Sequence, residues 1–166
     1  MISQGDIKQN LKEINELYLN SKTQKEALYF SKLAIIELCG WIEVSMDQMV
    51  LDCAKRTLKI QANIDFVKER IIKPTFGFEY DKHFRDMLIQ VVGVLNTEKI
   101  ETNFDETKLH LFKSSLGTLK ESRDNLAHKY IDTTTRIDAP SATIKHFKHV
   151  ADGLESVDTY LCDAGL

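Results

Sequence analysis

The sequence predicts an all-α fold, an antiparallel bundle of about five or six helices arranged around one long central helix. Apolar residues recur at steps of three and four along nearly the whole chain, which is the period of a buried helix face. Only two prolines and seven glycines punctuate it, too few for the tight turns of an all-β protein. The length of 166 residues, with hydrophobic and charged fractions of 43% and 28% near globular averages, suits a single domain, 1–166, with one core.

Ile7, Leu11, Ile14 and Leu17 predict the first amphipathic helix, with Ser3 and Asp6 spaced as a capping box at its start. Thr23 and Glu26 repeat that spacing before a proline-free segment from about 23 to 59, a rod of roughly 55 Å if helical throughout. Its middle, Leu33 to Ile42, is apolar around most of its circumference and predicts a helix covered on several sides. A short helix is expected after Asn63, ending before Pro74, with Thr75-Phe76-Gly77 as a loop. Phe84, Leu88, Val91 and Leu95 mark a helix from about Glu79. Asn103 and Glu106 suggest an N-cap for a further helix running to about Tyr130. The polar run from Asp132 to Arg136, before Pro140, reads as a loop, and Ile144, Phe147, Val150, Leu154, Val157 and Leu161 mark a last helix.

The net charge of -3 argues against a protein that holds nucleic acid by bulk positive charge, while leaving room for a local basic site. Cys39, Cys53 and Cys162 are odd in number and form no CxxC pair, which points to a reducing, cytoplasmic setting. The N-terminal residues lack the basic and apolar regions of a signal peptide, and no stretch approaches the ~20 apolar residues of a membrane span, so no membrane role is expected.

The segment Glu121 to Tyr130 carries the most chemistry. The apolar seam Leu109, Phe112, Leu116, Leu119, Leu126 and Tyr130 has one place taken by Arg123. A guanidinium thus stands where a core residue belongs. Its neighbours three and four residues away are Leu119, Lys120, Leu126 and Ala127, none of them a carboxylate. A buried charge needs a partner, which must come from another helix, another subunit or an anionic ligand. On the long helix Glu37, between Ile36 and Leu38, is the obvious carboxylate. If Glu37 pairs with Arg123, His128 is an ordinary last-turn histidine that favours the helix dipole. His128 lies ~140° around an ideal helix from Arg123 but shares a face with Asp124 and Asn125, and Asp124 could hold its imidazole protonated. An imidazole near its ordinary pKa of ~6.5 can move protons at neutral pH, and an arginine fork matches phosphate oxygens.

Arg123-Asp124-Asn125-Leu126-Ala127-His128 resembles the R-x4–6-H motif of the HEPN superfamily of prokaryotic and eukaryotic helical domains, in which a polar residue commonly follows the arginine. The stretch from Leu33 to Asp47, with Glu37, Trp41-Ile42-Glu43 and Met46-Asp47, is similar to the long helix of prokaryotic members related to the RiboL-PSP-HEPN group. The resemblance implies a metal-independent endoribonuclease, without cofactor, whose active site forms where two protomers of a homodimer bring their motifs together. It implies a toxin or anti-phage role, beside a possible antitoxin, nucleotidyltransferase or larger defence effector. On it, His128 moves a proton to or from the RNA, Arg123 neutralises charge on phosphorus, and the product ends in a 2′,3′-cyclic phosphate. Asp124, Asn125 and Glu37 are accessory, and Lys120, Lys129 and Arg136 meet the RNA backbone. Members that have lost catalysis and only bind supply the alternative: a silent helical module for a partner protein or nucleotide.

His146 and His149 are spaced to share a metal, but no third or fourth ligand accompanies them, so Lys145 to His149 reads as a solvated basic face. Cys53 reads as an inert core thiol and Trp41 as a packing residue.

Overall fold

A computed structural model describes residues 3–127, 130–132 and 134–166. The described residues form helices α1 (Gly5–Leu19), α2 (Gln24–Thr57), α3 (Gln61–Phe66), α4 (Arg85–Asn103), α5 (Glu106–Ala127) and α6 (Pro140–Asp163), with no strand among them. Two π-helical turns, Val67–Ile72 and Tyr80–Phe84, flank the 73–79 loop. The all-α bundle with one long helix is therefore what the chain adopts.

At its 34 residues α2 is about 50 Å long. Thr23 caps it as its spacing predicts. The Thr23 hydroxyl accepts from the Glu26 N–H at 3.1 Å, and Glu26 Oε2 reaches back to the Lys22 N–H at 2.8 Å. Lys55 and Arg56 in its last turn oppose the negative end of the dipole. The hairpin at 20–23 lays α1 back along α2, burying Ile7, Leu11 and Ile14. The Trp41 indole N–H donates to the Ser3 carbonyl at 3.1 Å, which ties the start of α1 to the middle of α2. No side chain caps α1, so the Ser3 and Asp6 capping box does not form.

Helices α5 and α6 pack as an antiparallel pair, Phe112 against Gly153 and Ser115 against His149. α6 also lies on α1 and α2, where Phe147 meets the Trp41 ring edge-on at 5.3 Å. α4 and the π turns close the remaining end through Val67, Ile71, Phe84, Met87 and Leu88, all buried. Each such apolar side chain contributes about 1.5–3 kcal/mol on burial.

Four further expectations need correction. The cap of α5 is Asp105, which accepts from the Lys108 N–H at 2.8 Å, whereas the Asn103 amide turns back onto the Lys99 carbonyl. The described part of α5 ends at Ala127, and Tyr130 is 84% exposed instead of completing the seam. His146 and His149 are half-buried rather than solvated: Nδ1 of His149 lies 3.2 Å from the Ser115 hydroxyl, and burial pushes the His146 pKa down. α2 is not covered all round either. Tyr29, Leu33, Ile36 and Val44 remain exposed along one of its faces.

Candidate functional site

Arg123 projects from α5 where that helix crosses α2. Its Nη1 donates to Glu43 Oε1 at 2.5 Å, and its Nε and Nη2 both donate to Asp124 Oδ1 at 3.1 Å. The other Asp124 oxygen takes the Lys120 ammonium at 2.9 Å. The guanidinium carbon stands 5.0 Å from the Phe78 ring centre, a cation–π arrangement. Burial works against the charge on Arg123, but its hydrogen bonds to Asp124 and Glu43 outweigh it and hold the arginine protonated. Lys120 and then Arg123 keep the Asp124 carboxyl below its ordinary range.

The 73–79 loop places Phe78. Gly77 has φ 131°, a region that side chains rarely adopt, and a Cβ there would lie 2.8 Å from the His83 ring. That ring accepts the Glu79 N–H on Nδ1 at 3.2 Å. The chain is thereby folded tightly on both sides of Phe78, whose ring is fully buried beneath Arg123.

Behind the pair, Cys39 lies against α5, its thiol 3.8 Å from the Leu119 carbonyl and pushed by burial to about 12. One turn beyond Glu43, the Asp47 carboxyl is raised to about 6, first by burial and then by the negative charge of Glu43.

Glu37 does not pair with Arg123. It is exposed on the outer face of α2, near Leu33 and Ile36. The residues that enclose it in sequence point elsewhere around the helix, and Glu37 lies ~120° from Glu43. Glu43 was visible only as one member of the family-like pattern, yet it stands four residues after Cys39 and eight after Ile35, both buried, and so continues the inward face. Asp124, one residue from Arg123, supplies the local carboxylate that the three- and four-residue spacings do not.

Asn125 is exposed on the opposite flank of α5, beside Arg136, which is exposed and donates to the Thr135 carbonyl at 3.1 Å. Arg123 and Lys120 are thus brought together, while Asn125, Arg136 and Glu37 are elsewhere. His128 and Lys129 lie outside the described residues. Among the described residues no three His, Cys, Asp or Glu side chains gather as a metal site, and no helix is long and apolar enough to cross a membrane.

Chemically, the cluster offers two cations, Arg123 and Lys120, against two carboxylates, Glu43 and Asp124, and is locally neutral. Compared with known proteins, the chain matches no family model, no curated relative and no solved structure.

Proposed function

We propose that the protein is a metal-independent endoribonuclease of the toxin or anti-phage type, acting as a cytoplasmic homodimer. One observation carries the reading: the guanidinium of Arg123, 26% exposed, sits beside the uncovered apolar face of α2 that runs from Tyr29 through Leu33 and Ile36 to Val44, next to Glu43. A second copy seated on that face would bury it and bring two Arg123 side chains toward one cleft. His128 takes the proton of a ribose 2′-hydroxyl, or gives one to the leaving 5′-oxygen. The 2′-oxygen bonds to phosphorus as the P–O5′ bond breaks, leaving a 2′,3′-cyclic phosphate. Arg123 stabilises the charge gathering on the phosphate oxygens.

The purified protein is expected to cut RNA, with His128→Ala lowering the rate by about 10²–10⁴ and Arg123→Ala by a similar factor, both variants keeping their helical content. Equal cleavage by wild type and His128→Ala overturns the proposal.

The second reading is a silent helical binding module. It is favoured by the neutralisation of Arg123, whose bonds to Glu43 and Asp124 already answer its burial. On that reading Arg123→Ala lowers the melting temperature and the wild type leaves RNA intact.

A further inference from the structure

On the flank of α5 away from Arg123, two adjoining cavities of about 610 and 370 Å3 share Asn125, Leu126 and Arg136 as walls. Together they form a trough beside Asn125 and Leu126 of α5, walled by residues among 130–132 and 134–138, within the size range of small-molecule sites. Its floor is apolar, with Leu126 and Ile131 at 9% and 8% exposure. At its rim the Tyr130 ring is 84% exposed, an unusual placement for an aromatic side chain.

Arg136 supplies the charge. Among the described residues it forms no ion pair, and its bond to the Thr135 carbonyl uses one Nη1 donor. Asp132, which lines the first cavity with Arg136, is already engaged: its Oδ1 accepts from the Thr134 N–H and from the Thr134 and Thr135 hydroxyls at 2.8–2.9 Å. Those bonds stiffen the peptide from which Arg136 projects and turn the carboxylate into the loop. Asp138 also lines the second cavity without pairing with Arg136.

An uncovered aromatic face, an unpaired guanidinium and the donor–acceptor amide of Asn125 line one trough and suit the base face, the phosphate and the base edge of a nucleotide. We infer that the trough holds one unpaired RNA nucleotide, its base stacked on Tyr130, its phosphate on Arg136 and its base edge read by Asn125. Asn125 and Arg123 point ~160° apart on α5, so the nucleotide held here is not the one that is cut. The inference rests on the endoribonuclease reading for its choice of RNA. It adds a requirement that the RNA be unstacked at that position, because only a base free of a helix can lie on Tyr130.

The test is fluorescence anisotropy with a short labelled 2′-O-methyl RNA, which cannot be cut because its 2′-oxygens are capped. Tyr130→Ala is expected to weaken binding roughly tenfold while Tyr130→Phe retains it. Arg136→Ala should weaken binding and reduce the slope of log affinity against log salt by about one. A wild type that fails to bind the probe, or a Tyr130→Ala variant that binds within about twofold of it, overturns the inference. Cleavage of unmodified RNA is measured separately. A wild type that cuts RNA and is unaffected by Tyr130→Ala removes the trough and leaves the endoribonuclease reading. Tyr130-dependent binding without cleavage does the reverse.

Discussion

Gly153 of α6 lies against the ring of Phe112 on α5, and a Cβ placed on it would stand 2.3 Å from Phe112 Cγ. The two helices approach this closely because position 153 has no side chain. Phe112 is fully buried, so its ring has no solvent to retreat into. Gly153→Ala is therefore expected to destabilise the fold by about 1–3 kcal/mol, despite the better helix propensity of alanine. Urea unfolding of Gly153→Ala, with and without Phe112→Leu, checks this. The smaller side chain at 112 should return part of the loss, and an unchanged midpoint for Gly153→Ala alone would refute the prediction.

Arg123 and Glu43 join α5 to α2 with side-chain exposures of 26% and 39%. Partial exposure screens the pair without abolishing it. A double-mutant cycle on Arg123→Ala and Glu43→Ala should give a coupling energy of about 1 kcal/mol. Additive losses would mean that the two side chains act independently.

The Asp47 carboxyl, raised from 3.8 to about 6, binds its proton more tightly in the folded chain than in the unfolded one. Its contribution to stability is thus complete below about pH 4 and is lost as the pH rises through about 6. Asp47→Asn removes that dependence. After allowance for solvent screening, the variant should be more stable than wild type by roughly 1 kcal/mol near neutral pH, with little difference in acid. Denaturation midpoints measured across this range decide the matter, and parallel profiles would contradict it.

Cys39 and Cys53 are buried, with thiols raised by burial, Cys39 to about 12, whereas Cys162 is exposed. Native protein treated with iodoacetamide should therefore be alkylated at Cys162 well before the other two. Peptide mass mapping of the labelled sites provides the check. Rapid modification of Cys39 in folded protein would mean that the α2–α5 contact opens readily.

The helices were legible because their apolar period persists over whole segments and Thr23 with Glu26 marks a start. The π turns were not: Val67–Ile72 and Tyr80–Phe84 differ from α-helix by one residue in hydrogen-bond reach, which leaves no mark in the apolar pattern. Arg123 announced itself as a charge in an apolar seam, and its need for a carboxylate followed. Which carboxylate did not follow from sequence neighbours, since Glu37 lies among apolar residues that face other directions. The helical phase of Ile35 and Cys39 points instead to Glu43. Phe78 gave no signal, because its place under the guanidinium depends on how Gly77 and His83 fold the loop.

Helix α2 touches α1, α3, α4, α5, α6 and the first π turn. Loss of this one element uncovers part of the apolar face of every helix packed on it, so unfolding is expected to be all-or-none, and the slowest-exchanging amides should lie along the middle of α2 and open together.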